Sequence, residues 1–321
     1  TFKFAGIGLN HNGDIKLAEK LIAAAKSCGA DAVKFQIFRA SELYMETDPY
    51  FKLFKRLEFS EDVWGHLRDF ARENDILFGA SVFGEWSADL LEEINGDFYK
   101  IASGDLTNHP LLQYVAHKNR PIILSTGASF MSEIDEAIRA LREAGSRDII
   151  LLHCVSNYPA GYEETNLRAI STLKNVFRVP VGFSDHTLGI LIPIVAVTVG
   201  ANVIEKHFTL NKHLEGPDHK LSLDVSEFRQ MVNWIRLTEK SLGDGIKRPT
   251  EGERKARELA RRSIYAIKNL NCGEKIRKED IRILRPRKGI DPKYLEIILG
   301  KRIARNVSRG DPITWEILLG E

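Results

Sequence analysis

From Thr1 to about residue 245, short apolar runs alternate with stretches whose apolar side chains recur every three or four positions, and the cycle repeats eight times. The runs Lys3–Gly8, Ala32–Gln36, Ile76–Ala80, Phe98–Ile101, Pro121–Ser125, Ile149–His153, Val179–Ser184 and Asn202–His207 read as strands. Leu17–Cys28, Glu61–Asn74, Glu133–Ala144 and Val225–Leu242 read as amphipathic helices, with a further helix-like stretch at Leu188–Gly200. Eight such units predict an α/β fold of the closed (β/α)8 TIM-barrel class, because doubly wound sheets more often stop at about five to seven strands. Segments such as Cys28-Gly29-Ala30-Asp31 and Asn95-Gly96-Asp97 carry the helix-stop glycines expected at the barrel end opposite the chemistry.

Past Gly243 the pattern changes. Residues 247–262 hold seven basic and three acidic side chains with Pro249 and Gly252, which reads as a solvated linker. From Ser263 onward come short strands, tight turns at Asn271-Cys272-Gly273 and Ser308-Arg309-Gly310-Asp311, and one predicted helix, Pro292–Leu299. The expected organisation is a barrel over 1–245, a linker over 246–262 and a small domain over 263–321. The last is short enough that little core of its own is expected, so it should dock on another surface.

The strand ends are polar. Gln36, Ser81, Ser103, Asp105, Ser125, His153, Ser184 and His207 fall at or just beyond them, on the rim where such barrels keep their chemistry. Lys34 and Lys100 alternate with apolar neighbours on their strands and so point inward, where an ammonium group needs an anion. Either lysine alone is explained equally well by a core carboxylate such as Asp105. Together with Ser81, Ser103, Ser125 and Thr126-Gly127 they favour a cradle for phosphate or carboxylate. His186 and His207 end consecutive strands, a spacing that suits a divalent metal with positions left open. A lone rim histidine is as readily a satisfied structural group, but the pair argues for a metal. Asp218, in the loop Gly216-Pro217-Asp218-His219, is either an exposed acidic turn or a carboxylate facing a metal-bound water or a sugar hydroxyl. Cys154, with no base assigned to it, reads as packing rather than a nucleophile.

The chain has 321 residues, 43% hydrophobic and 28% charged, with a net charge of +2. That near-neutral balance gives no reason to expect nucleic acid or a membrane surface. No apolar run reaches the roughly 18 residues of a membrane span and no basic-then-apolar leader stands out. Cys28, Cys154 and Cys272 form no CxxC and fit free thiols, so the expected compartment is the cytoplasm.

Taken in order, several strings resemble the sialic acid synthase (N-acetylneuraminate synthase) family. They are Gly8-Leu9-Asn10-His11-Asn12-Gly13-Asp14, Gly29 through Gln36, Tyr99 through Asp105, Ile123-Leu124-Ser125-Thr126-Gly127, Leu152-His153-Cys154, Tyr158-Pro159, Gly182 through Thr187, and Glu205-Lys206-His207-Phe208-Thr209. Leu284-Arg285-Pro286, Gly289-Ile290 and Leu299-Gly300-Lys301 resemble that family's antifreeze-like (SAF) domain. The resemblance implies a cytoplasmic transferase of carbohydrate biosynthesis that condenses phosphoenolpyruvate (PEP) with the open-chain aldehyde of an N-acylated amino sugar such as N-acetylmannosamine. The product is a sialic acid or related nonulosonic acid, and phosphate is released. It implies Mn2+ or Mg2+ held by His186 and His207, and PEP gripped by Lys34, Ser81, Lys100, Ser103, Ser125 and Ser184. Asp105, Lys34 and Lys100 would act catalytically, while Gln36, Tyr158, Asp218 and Arg285 would contact the sugar. Arg285 would reach a neighbouring subunit in a domain-swapped homodimer.

Two positions depart from the family pattern. Ala5-Gly6-Ile7-Gly8 replaces Ala-Glu-Ile-Gly, removing a carboxylate, and Asp105 stands where a glutamate is usual. The segment Ser41–Phe59 matches no clear part of the pattern. Two other functions are compatible with the residues: a Schiff-base aldolase using Lys34 or Lys100, which would have no need of paired histidines, and a catalytically impaired relative that binds sugar or PEP without turnover.

Overall fold

The computed structural model describes residues 1–318. The chain folds as two compact units, Thr1–Gly243 and Asp244 onward. In the first, eight parallel strands close on themselves: β1 (Phe2–Gly8), β2 (Ala32–Ile37), β3 (Leu77–Val82), β4 (Phe98–Ile101), β5 (Ile122–Ser125), β6 (Ile149–Cys154), β7 (Val181–Asp185) and β8 (Val203–His207), the last pairing with β1. The expected barrel is therefore present, each strand within two residues of its predicted bounds.

Side chains alternate across each strand. Phe4, Ala32, Phe98, Ile123, Leu152 and Val203 point inward and plug the lower barrel. Gly79 makes room for that plug, since a Cβ there would lie 2.2 Å from the Phe98 ring. The opposite parity, including Val33, Phe35, Tyr99, Leu151 and Ile204, packs outward against the helical layer. Phe35 stacks on Phe78 at 5.3 Å, and Trp64, from the helix Glu61–Glu73, meets it edge-on at 5.8 Å. Two residues above Ala32, Phe98, Ile123 and Val203 stand Lys34, Lys100, Ser125 and Glu205, so the same alternation that builds the core builds much of the mouth.

Ser41–Phe59 forms two short helices, Ala40–Leu43 and Phe51–Leu57. Their apolar faces, with Phe38 and Phe83, make a separate small cluster over Leu9. Among the described residues no helix is long and apolar enough to cross a membrane.

In the second unit, the stretch read as a linker carries a 3-10 turn at Glu251–Glu253 and a helix at Arg254–Ala260 with nearly every side chain in solvent. Beyond it β9 (Ser263–Ala266) and β10 (Ile281–Leu284) pair antiparallel. Contrary to the expectation of little core, Ile264, Leu270, Ile276, Ile290, Ile298, Ile303 and Ile313 are buried together. Short strands and bridges with isoleucine at inward positions give an apolar centre without long elements. The predicted helix at Pro292–Leu299 is a 3-10 turn, Pro292–Tyr294, running into Leu295–Ile298.

Candidate active site

Lys34, Gln36, Ser81, Lys100, Ser103, Ser125, Tyr158, Ser184, His186, His207 and Asp218 line one cavity of about 270 Å³ at the C-terminal mouth of the barrel. That volume suits a small metabolite rather than a macromolecule. Eleven residues scattered from position 34 to 218 thus converge, those on strands through alternation and Ser103, Tyr158, His186 and Asp218 from the segments that follow strands. Asp105 does not line this cavity. It ends a 3-10 turn after β4, Ser103–Asp105, where its carboxylate accepts a hydrogen bond from Asn108 at 3.4 Å and burial pushes its pKa up. Arg285 belongs to the second unit, where it is exposed just after β10. His153 turns outward: its Nε2 faces the Thr165 carbonyl at 2.8 Å and its ring packs on Phe183. Its parity on β6 is opposite to that of Leu152 and Cys154, so it cannot join the mouth.

The carboxylate that meets the lysines is Glu205, which the sequence reading passed over. Its Oε1 lies 3.2 Å from Lys34 Nζ and its Oε2 3.9 Å from Lys100 Nζ, with all three side chains at most 8% exposed. Burial opposes the charge on Glu205, but Lys100 and Lys34 overcome it and hold the pKa down to about 2. Lys100 also donates to Ser125 Oγ at 2.6 Å and to the Ile101 carbonyl at 2.9 Å, while burial lowers its pKa. The alternation Val203, Glu205, His207 was the available signal. Leu9 and Phe54 complete the outer wall, Phe54 coming from the unmatched segment.

His186 and His207 lie with ring centroids 5.5 Å apart. Burial drives both imidazoles toward neutrality, to about 4 for His186 and about 3 for His207, the latter also disfavoured by the Lys34 charge. His186 Nδ1 stands 2.7 Å from the Val155 carbonyl, an acceptor only, so it carries the proton and Nε2 keeps a free lone pair. His207 Nδ1 is buried with no hydrogen-bond partner; Asp218 Oδ2, at 3.7 Å, is too distant. Tyr158 lays its ring 4.1 Å over His186. Two neutral imidazoles, one with an orphaned buried nitrogen, fit a divalent cation. Among the described residues no third His, Cys, Asp or Glu joins them, which leaves the other coordination positions open.

At Gly8 the β1–β2 register shifts and φ is +53°; a Cβ there would sit 3.2 Å from Asp218 Oδ2, so glycine is what admits this carboxylate to the mouth. Gly6, on the inward parity of β1, leaves Glu205 as the carboxylate serving both lysines.

Fold and site together define a (β/α)8 enzyme acting on small molecules. Residues 21–247 match the NeuB family and residues 261–319 the SAF domain, and the chain belongs to the NeuB family. It is 50% identical over 321 residues to an uncharacterized protein of Methanocaldococcus jannaschii, covering 100% of this chain and 95% of that one. It is 43% identical over 333 residues to N,N'-diacetyllegionaminic acid synthase of Legionella pneumophila, covering 98% and 94%. The crystal structure of N-acetylneuraminic acid (sialic acid) synthetase from Leptospira borgpetersenii, in complex with citrate, superposes with a TM-score of 0.76 at 38% identity, over 79% of this chain and 89% of that one. The expected sialic acid synthase kinship, antifreeze-like domain included, is borne out, and the chain is an enzyme of that synthase type.

Proposed function

We propose that this protein condenses phosphoenolpyruvate with the aldehyde of an N-acylated amino sugar, of the N-acetylmannosamine type, to give a nonulosonic acid and free phosphate. The observation that carries the proposal is the pairing in the mouth: two buried ammonium groups share the Glu205 carboxylate, while Asp218, the other carboxylate there, pairs with neither lysine and is pushed toward its neutral form by burial. The surplus positive charge calls for an anion. Lys34 and Lys100, with the hydroxyls of Ser81, Ser103, Ser125 and Ser184, hold the carboxylate and phosphate of PEP and stabilise the departing phosphate. In the overall reaction C3 of the enol forms a bond to the aldehyde carbon and the aldehyde oxygen gains a proton. Water adds at C2, the bond from C2 to the bridging oxygen breaks so that this oxygen leaves with the phosphate, and a 2-keto acid is left, the two protons of the water ending on the former aldehyde oxygen and on the phosphate.

His186 and His207 are the residues that would hold Mn2+ or Mg2+, which when bound supplies Lewis-acid polarisation of the aldehyde. Gln36, Tyr158, Asp218 and Phe54 face the acceptor. Glu205, in contact with both lysines, takes the place expected of Asp105 as the carboxylate of the site and acts by holding the two ammonium groups in position. Arg285 acts on the acceptor from a neighbouring subunit of a homodimer. The free thiols Cys28, Cys154 and Cys272 support a cytoplasmic setting.

Phosphate release should require PEP, Mn2+ and an acceptor aldose together. With oxygen-18 in the bridging position of PEP, the label should leave in the phosphate. Release without the aldose, or label retained in the sugar acid, would contradict the reaction; PEP binding with no release by any acceptor would mark a silent relative. The lowered pKa of Lys100 also suits an imine-forming lysine. Borohydride inactivation in the presence of pyruvate would favour that aldolase reading instead.

A further inference from the structure

Asp185 and Lys206 are register partners on β7 and β8, and each directly precedes one of the two mouth histidines. Strand alternation turns them away from the mouth and into the barrel wall, where they are 0% and 1% exposed. Lys206 Nζ donates to Asp185 Oδ2 at 2.5 Å and to the Thr187 carbonyl. Asp185 accepts from the Thr187 amide at 2.9 Å and from the Thr187 hydroxyl at 3.2 Å. His186 is therefore enclosed: the residue before it and the residue after it are both bound to one ammonium carried by the strand that presents His207. None of these bonds reaches the surrounding helices.

We propose that Lys206, Asp185 and Thr187 form a clamp that sets the position of His186 against His207 and so determines the affinity of the pair for a divalent cation. The inference rests on reading those two imidazoles as the metal-holding pair. The clamp residues touch neither substrate nor cation; they are positioning residues. A buried ion pair is a weak source of net stability compared with apolar packing of the same volume, but it imposes directional distances that apolar packing does not. Here the directions it imposes are those of the backbone on either side of a ligand. Groups that orient metal ligands from behind typically alter affinity about 10- to 100-fold when removed.

The test is Mn2+ binding to metal-free protein, followed by electron paramagnetic resonance of the unbound ion. Alongside it run PEP binding without metal, by calorimetry, and thermal unfolding. The variants are Lys206→Met, Asp185→Asn, the double Lys206→Met/Asp185→Asn, which leaves no unpaired charge if a single change prevents folding, and Thr187→Val, which removes one hydroxyl. Mn2+ affinity should fall about 10- to 100-fold in the charge variants and only a few-fold in Thr187→Val, with PEP affinity within about twofold of wild type. A clamp that merely stabilises would lower the unfolding temperature and leave Mn2+ affinity unchanged in the folded protein; that result overturns the proposal. The underlying reading fails separately, through wild-type Mn2+ binding in His186→Ala and His207→Ala, and it would take the clamp with it.

Discussion

Two sets of buried lysines sit within the same barrel under opposite accounting. In the mouth, Lys34 and Lys100 divide a single carboxylate between them. In the wall, Lys206 has a carboxylate to itself and a backbone carbonyl besides. Burial penalises an ammonium group in both places, so the difference in pairing is informative. Full pairing belongs to framework, whereas the shared carboxylate leaves positive charge for something that arrives from solution. Exposure does not separate the two cases, because all three lysines are nearly closed off; the ratio of cations to anions does.

The largest effect that would break this comparison is expected at Lys100. Lys100→Met should reduce kcat/KM for PEP by about 1,000-fold or more, measured as phosphate release, with far-ultraviolet circular dichroism unchanged. Activity near wild type would show that the surplus charge serves no ligand. His186→Ala and His207→Ala should each abolish metal-dependent turnover, as should chelation of wild type with EDTA, and excess Mn2+ should restore only the chelated wild type. Next comes Glu205→Gln, which leaves two ammonium groups without a counter-charge. Stability should drop by about 3–5 kcal/mol, and added PEP should recover part of it in a thermal melt. A loss of stability that PEP does not relieve would mean the anion does not sit against the lysines. The smallest change is expected for Arg285→Ala: a KM for the sugar raised about tenfold with PEP parameters unchanged. Equal shifts in both would move Arg285 away from the acceptor side.

Much of the architecture was legible because a barrel repeats one instruction. Period-two alternation bounded by glycine turns places all eight strands, and the same parity turns Lys34 and Lys100 inward. Applied to β8, that parity also points Glu205 inward alongside His207. It was missed because Glu205-Lys206-His207 reads as a charged string, in which inward and outward residues look alike. Asp105 was selected by its place in a familiar string, yet it lies beyond the strand, where alternation no longer governs direction and a 3-10 turn does. The segment Ser41–Phe59 was opaque for a related reason. Its helices are only four and seven residues long, too short to display a periodic face, so nothing in the sequence marked Phe54 as a wall of the cavity. His153 was misjudged by one residue, which on a strand is a change of side.

That one-residue sensitivity has an outcome for folding. If β8 closed onto β7 and β1 one position out of step, Lys206 would enter the mouth and His207 would be forced into the apolar wall, while Asp185 would lose its counter-ion. The misaligned barrel would be both charged in the wrong place and chemically inert. Placing a clamp residue and a ligand residue side by side on the same strand therefore acts as proofreading, because closure without error and competence for catalysis are checked by the same pair of neighbours.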